Sequence, residues 1–238
     1  MKKFFSFILS IATIAAVCYG VYKYILPSDS RTTLNEDFGQ DVSVVAIEAS
    51  LLQIKVKEGS SFAVEYDGSE KLCPTCTYDE NSKKLSITQP EYKPKKSKTS
   101  NENELILYMP EGTRLSQFKL VNNIGDVDLG ELSADQIVII ADIGTIKADK
   151  ITTDELKIEA NLGDVNIDEC DSKDITVVAN MGSVDIGIAS DLKDYGISAS
   201  TTLGELKIGS EKYKNNYVQT GNAGAIKIQC NLGNVVIE

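Results

Sequence analysis

The sequence predicts an all-β domain: a single-stranded, three-sided parallel β-helix, or β-solenoid, with about 20 residues per coil. It also predicts an N-terminal transmembrane helix ahead of this domain. Three observations support this fold class. A short phrase recurs at a nearly fixed interval, apolar residues occupy the same columns in each copy, and residues 4–22 carry no charge.

The recurring phrase is built around a glycine. Its clearest copies, NIGDVDL, NLGDVNI, NMGSVDI and NLGNVVI, begin at Asn123, Asn161, Asn180 and Asn231. From glycine to glycine the spacings are 144 − 125 = 19, 163 − 144 = 19, 182 − 163 = 19, 204 − 182 = 22, 224 − 204 = 20 and 233 − 224 = 9. Such a period is typical of a solenoid, and the short last interval predicts an incomplete final coil. The glycines are Gly125, Gly144, Gly163, Gly182, Gly204, Gly224 and Gly233.

Apolar columns flank each glycine. Odd offsets before the glycine and even offsets after it are apolar, and this parity predicts two inward-facing strands that meet at a corner. Glycine tolerates the backbone angles that a corner needs. The column directly before the glycine contains Ile124, Ile143, Leu162, Met181, Leu203, Ala223 and Leu232. A third inward column, which makes the coil three-sided, contains Leu132, Ile151, Cys170 and Leu192.

Polar residues with amide or carboxylate groups stand two positions before most of these glycines. Such side chains bond to nearby backbone, and stacked amides can bond from coil to coil. We predict a structural corner ladder, with a ligand site made of the same residues as the alternative. The ladder residues are Asn123, Asp142, Asn161, Asn180, Asn222 and Asn231.

The chain divides into three parts. Residues 1–26 are predicted to be a membrane anchor or signal peptide, residues 27–41 a linker, and residues 42–238 the solenoid domain. Within the domain, residues 42–122 are predicted to form irregular early coils, with a lysine-rich loop at 90–101, and residues 123–238 the regular repeats. In that loop Lys93, Lys95, Lys96 and Lys98 could contact a polyanion, such as teichoic acid or anionic lipid headgroups, although a solvated loop is the simpler reading.

The N-terminus indicates export. Lys2 and Lys3 precede an uncharged run of 22 − 4 + 1 = 19 residues, close to the ~20 that span a bilayer. The positive-inside tendency then predicts a single-pass protein of the cell membrane with its C-terminal domain outside the cytoplasm. The alternative is a signal peptide that is cleaved to give a secreted domain.

Composition argues against several functions. The net charge of −11 and the absence of histidine disfavour nucleic acid as a partner and remove the commonest general base. We predict no enzymatic activity and no cofactor. A glycan-active β-helix enzyme is the weaker alternative, since it would need paired carboxylates beside aromatic platforms, which no column provides.

The cysteines give little indication of a redox or metal-binding site. Cys73 and Cys76 form CPTC, which predicts a local disulfide or a reduced pair more readily than an oxidoreductase site, because no βαβ context surrounds it. Two thiols also fall short of a zinc site. Asp126 and Asp164 in the GDV phrases leave calcium as a minor alternative, but their columns alternate acidic with neutral residues.

The NxGxVxI coils, together with a strand ending in proline as in LILYMP, resemble the bacterial putative-adhesin family of β-strand-repeat proteins, whose domain is of unknown function. The resemblance covers residues 42–238 and implies a β-helix at the cell surface, with no catalytic residues. We therefore predict a membrane-anchored binding or adhesion domain whose partner is a cell-envelope polymer or a surface protein. The alternative is an envelope-stress accessory protein that binds a membrane sensor.

Overall fold

The computed structural model describes residues 30–92 and 102–238. This part of the chain forms one 19-stranded mixed sheet and two 3₁₀ turns, Glu70–Leu72 and Leu192–Asp194. The strands are β1 (Arg31–Asp37), β2 (Val44–Ala49), β3 (Gln53–Gly59), β4 (Ala63–Ser69), β5 (Thr75–Asp79), β6 (Lys84–Thr88), β7 (Glu104–Pro110), β8 (Leu115–Ile124), β9 (Val127–Asp128), β10 (Glu131–Ile143), β11 (Ile146–Leu162), β12 (Val165–Met181), β13 (Val184–Ile188), β14 (Gly196–Leu203), β15 (Leu206–Ile208), β16 (Glu211–Tyr213), β17 (Asn216–Gln219), β18 (Ala225–Leu232) and β19 (Val235–Ile237).

The middle of the sheet is a stack of parallel strands in register. Ile139 of β10, Ile158 of β11 and Val177 of β12 lie side by side, and all three are fully buried. This apolar column of the repeat therefore becomes a continuous row inside the stack, which suits β-branched side chains. A third side of the same strands contains Leu132, Ile151 and Cys170. Beyond Cys170 this row continues with Ile188 rather than with the predicted Leu192.

The prediction of a simple parallel β-helix is wrong in the order of its coils. The C-terminal strand β18 pairs in parallel with β12 on one side and with β14 on the other. Likewise β19 lies between β13 and β15. The last segment of the chain is thus inserted into the stack instead of closing its end. The insertion is possible because β18 carries the same apolar alternation as its neighbours, so β12 and β14 can both pair with it in register.

The prediction is also wrong in treating all the strands as parallel. Antiparallel pairs occur near both ends of the stack: β1 with β4, β4 with β7 and β5 with β6 at one end, and β14 with β17 and β15 with β16 at the other. The early region also departs from sequence order, since β7 pairs with β3 and β6 with β2. Hairpins at the ends of a stack satisfy backbone groups that would otherwise be open sheet edges.

The predicted N-terminal transmembrane helix receives no support from the structure. Residues 4–22 lie outside the described part of the chain, and the helical segments within residues 30–92 and 102–238 are too short to span a bilayer. Part of the predicted linker, Arg31–Asp37, is strand β1. Leu34 of this strand packs against the hydrophobic core. The segment is too short for its alternation of apolar and polar residues to predict a strand.

The corner glycines stack directly on one another. At Gly163 the backbone angle φ is +149°, and an added Cβ would lie 2.0 Å from the carbonyl oxygen of Gly144. The same close approach recurs through the stack, so only glycine fits there. In spatial order the corner glycines are Gly125, Gly144, Gly163, Gly182, Gly233 and Gly204.

Candidate functional site: an apolar and amide stripe along the corner

A row of exposed aliphatic side chains follows the corner glycines. Five of the six large hydrophobic side chains that are exposed in the described residues belong to it. Strand pairing places them next to one another, from Ile143 through to Leu203. In spatial order the row, with exposed fractions, is Ile143 (47%), Leu162 (45%), Met181 (45%), Leu232 (42%) and Leu203 (66%). We call this row the corner ridge.

The corner ridge contradicts the inward parity predicted for the residue before each glycine. Ala141 is buried, but Asp142 and Ile143 are both exposed, and burial resumes at Ile146. The strand pairing skips Asp142 and resumes at Ile143. At the corner the chain therefore turns two consecutive side chains outward, which an alternating strand cannot do. The apolar character of the residue before each glycine cannot by itself distinguish an inward column from an exposed one.

An amide ladder runs alongside the corner ridge. Nδ2 of Asn161 donates to Oδ1 of Asp142 at 2.6 Å. Nδ2 of Asn180 donates to Oδ1 of Asn161 at 2.5 Å, and Nδ2 of Asn231 donates to Oδ1 of Asn180 at 2.8 Å. Each of these bonds uses one of the two N–H groups of its amide. The ladder thus stabilises neighbouring coils while it keeps donors and acceptors at the surface beside the apolar row.

A change of charge within the ladder should be measurable. In Asn161→Asp, the introduced carboxylate would face Asp142 across the former hydrogen bond, and the two like charges would raise the pKa of the pair. We expect a loss of about 1 kcal/mol of unfolding free energy at pH 7. The loss should disappear as the pH falls below ~4 and the carboxylates become neutral.

The matched control is Asn231→Asp, whose ladder neighbour Asn180 is neutral. Urea unfolding of both variants at pH 7 and at about pH 3 checks this prediction. An equal pH dependence in the two variants would show that charge pairing within the ladder is not the cause.

The other polar row, directly after the glycines, has a structural role. Oδ1 of Asp126 accepts the backbone N–H of Thr145 at 2.8 Å, and Oδ1 of Asp164 accepts that of Ser183 at 2.7 Å. The acceptor side chains alternate with the residues whose N–H they bind, which explains the alternation of acidic and neutral residues in the sequence. Within the described residues no group of three or more potential ligands could hold a metal ion.

Three of the predicted ladder residues lie elsewhere or differ in role. Asn222 and Gly224 lie in the segment before β18, where Gly224 packs against Lys173 rather than at the corner. Asn123 is exposed, whereas its neighbour Asn122 is buried. Nδ2 of Asn122 donates to the carbonyl oxygens of Leu52 and Gly125.

The lysine residues Lys93, Lys95, Lys96 and Lys98 lie outside the described residues.

The CPTC pair is not poised for thiol chemistry. Cys73 and Cys76 are half-buried free thiols. Burial raises the pKa of Cys76 to about 12, with the nearby Glu36 adding to the shift, and burial also raises the pKa of Cys73. A reactive thiol needs the opposite shift, toward the thiolate. The local disulfide stays a prediction.

An acidic cleft opens where β12, β13 and the chain end meet. Asp168, Glu169, Asp185 and Glu238 line it, and its lining among the described residues contains no aromatic side chain. Asp185 is exposed overall, but partial desolvation in the cleft raises its pKa, and the carboxylates of Glu238 and Asp168 add to this, while Lys207 opposes it. A glycan-active site needs a sugar platform in addition to acids, so this cleft gives the enzyme alternative little support.

The raised pKa of Asp185 has a consequence for stability. Because this pKa is higher in the folded than in the unfolded chain, stability falls as the pH rises through the interval between the two values. Asp185→Asn removes the ionisation, so we expect the variant to melt at a higher temperature than the wild type at pH 7. At pH 3 the two should melt together. Thermal unfolding at both pH values tests this, and a variant less stable at pH 7 would contradict it.

Comparisons with known proteins agree with the observed fold. The sequence model of the Toastrack DUF4097 family matches residues 42–234, which confirms the resemblance seen in the sequence. A solved structure described as a "putative cell adhesion protein", from Clostridium sporogenes ATCC 15579, aligns with a TM-score of 0.54 at 16% identity. The alignment covers 87% of this chain and 99% of the Clostridium chain.

Two further solved structures are more distant. A "putative adhesin" from Bacteroides fragilis NCTC 9343 aligns with a TM-score of 0.37 at 10% identity, covering 89% of this chain and 99% of its own. A "putative lipid binding protein" from Parabacteroides distasonis ATCC 8503 aligns with a TM-score of 0.39 at 9% identity, covering 88% and 97%. No curated protein matches the chain.

Proposed function

The chain belongs to the Toastrack DUF4097 family, and we propose that it is a non-catalytic binding domain of the cell surface. The observation that carries this proposal is the continuous corner ridge with its amide ladder. Folded proteins rarely leave large apolar side chains exposed in a contiguous row unless the row contacts a partner. The similarity in fold to a protein described as a cell adhesion protein supports the same role.

The regular spacing of the corner ridge and the amide ladder favours an extended partner. Neighbouring coils are ~4.8 Å apart, so the ridge repeats an aliphatic contact and the ladder repeats a hydrogen-bonding group at a constant spacing. A surface with these repeats can make many weak contacts in series with a linear polymer or an extended segment of a surface protein. Burying the half-exposed aliphatic groups contributes roughly 25 cal/mol per Å².

The proposal is tested by binding of the purified protein to isolated envelopes of its own cells. The test variant combines Leu162→Thr, Met181→Thr and Leu232→Thr, which remove apolar area but keep residues that favour strands. The matched control is Val218→Thr, because Val218 is also an exposed aliphatic residue (73%) but lies on β17 outside the corner ridge.

We expect the triple variant to bind at least ~10-fold more weakly, a loss of ~1.4 kcal/mol or more. The control should bind like the wild type. If the triple variant kept the wild-type affinity while the protein remained folded, the corner ridge would not be the binding surface.

Salt distinguishes apolar from ionic contacts, and protease treatment distinguishes a polymer from a protein partner. Apolar binding should persist at high salt, whereas a polyanion contact by Lys93, Lys95, Lys96 and Lys98, proposed from the sequence alone, should weaken. Binding that survives protease treatment of the envelopes would indicate a polymer. Loss of binding after that treatment would indicate a surface protein, including a membrane sensor.

A further inference from the structure

Strand β1 forms an edge of the sheet. In the described residues β1 pairs only with β4, over a continuous antiparallel register from Arg31 opposite Ser69 to Asp37 opposite Ala63. The N–H of Phe38 donates to the carbonyl oxygen of Phe62 at 2.8 Å, and the carbonyl oxygen of Ser30 accepts from Glu70 at 2.7 Å. In antiparallel pairing the N–H and C=O of one residue point to the same side. The even-numbered residues therefore face β4, and the odd-numbered residues present their backbone groups to the outer edge.

Charged side chains, Arg31, Glu36 and Asp37, are the one common protection against edge pairing that this strand carries, and they have both signs. The strand has seven residues, RTTLNED, with no proline, no lysine and no break in register. Short edge strands, bulges, proline and charged side chains, especially lysine, are the common protections. The other described strands that have a single strand partner, β5, β16 and β17, are all shorter than β1.

We propose that β1 pairs with β1 of a second copy, antiparallel and centred on Leu34. In this register Arg31 lies opposite Asp37 of the other copy, and Thr33 lies opposite Asn35. All four residues present outward backbone groups, so each opposite pair exchanges N–H···O=C bonds. Leu34 meets its own counterpart at the two-fold axis. A self-complementary sequence of this kind is what an interface with two-fold symmetry requires.

The side chains support this register through charge. Arg31 carries a positive charge at one end of the strand, and Glu36 and Asp37 carry negative charges at the other. An antiparallel pair brings opposite charges together, whereas a parallel pair would place like charges side by side. Within one copy Arg31 already contacts Asp67 at 3.0 Å, and Asp37 accepts from the N–H of Gly39 at 2.8 Å. The contacts between copies therefore extend existing ion and hydrogen-bond networks.

The interface is small. One pair of seven-residue strands falls short of the ~800 Å² per partner that stable complexes bury. We therefore expect a reversible dimer that forms where the protein is locally concentrated.

Cysteine cross-linking of the full chain in cells tests the register. Leu34→Cys places two thiols directly opposite each other, at a Cα separation that permits a disulfide. Thr32→Cys is the matched control on the same face of the strand. Its two thiols would be separated by four residues along the strand, or ~13 Å, which is too far for a disulfide. After oxidation, we expect a disulfide-linked dimer for Leu34→Cys and only background for Thr32→Cys.

Two further arms keep the test decisive if Leu34→Cys disturbs packing. Differently tagged Thr33→Cys and Asn35→Cys chains, expressed together, should cross-link to each other. Adding Thr33→Pro to Leu34→Cys should abolish its dimer, since it removes an outward N–H and leaves the hydrogen bonds to β4 intact. Equal cross-linking of Leu34→Cys and Thr32→Cys, no cross-linking between the two tagged chains, or a dimer insensitive to Thr33→Pro would overturn the proposal.

Discussion

Replacing Gly163 with alanine is expected to remove at least ~3 kcal/mol of unfolding free energy. The added methyl group would lie 2.0 Å from the carbonyl oxygen of Gly144, and φ at this position is +149°. The neighbouring atom is backbone held in the stack of corners, so it cannot move without shifting a whole coil. Urea unfolding should show a large drop in the midpoint, or a chain that no longer folds.

Gly209 provides the matched control. It also has a positive φ, +58°, but an added Cβ there would meet nothing within 4 Å. Gly209→Ala should therefore cost only the ~1 to 2 kcal/mol of the left-handed backbone conformation. Equal losses for the two variants would mean that contact between stacked corners adds nothing to the backbone strain.

A chain that lacks residues 224–238 is expected to lose the folded structure of β14 to β17. The deletion removes β18 and β19, and β18 is the parallel partner that joins β14 to β12. Without it, the buried Ile197 and Ala199 of β14 would have no neighbouring coil in register. Hydrogen exchange should show unprotected amides in β14, while those of β10 and β11 stay protected.

This outcome distinguishes the observed order from a stack built in sequence order. If the coils followed one another along the chain, β14 would rest on β12 and the deletion would remove only the last coil. Protected β14 amides in the shortened chain would thus contradict the inserted position of β18. A point variant gives an independent check: Ile228→Asp, at a buried position of β18, should act like the deletion, whereas Gln229→Asp, at the exposed neighbour, should not.

The sequence predicted the columns of the stack but not their order. The period places Leu132, Ile151 and Cys170 in one column, and these residues pair directly in the structure. Local periodicity reports which residues share a column, because strands pair in the register that buries matching apolar positions. It does not report which coil lies next to which, so the insertion of β18 was not visible.

The predicted inward position of the residue before each glycine is wrong for a related reason. Alternation predicts inward positions only while the chain remains an extended strand, and Leu162 belongs to the pair of residues that turns outward at the corner. Its exposed position on the candidate binding surface could not be recognised from apolar character. Strand β1 was missed because seven residues beyond the repeats offered only a short alternation.

The most direct test of the corner ridge as a binding surface is its accessibility in the bound state. Leu162→Cys and Val218→Cys each place a thiol at an exposed aliphatic position, on the ridge and on β17 respectively. Maleimide labelling above the wild-type background would be compared with and without bound envelopes. We predict that binding protects the thiol at position 162 and leaves the one at position 218 reactive. Binding that leaves position 162 as reactive as before would contradict it.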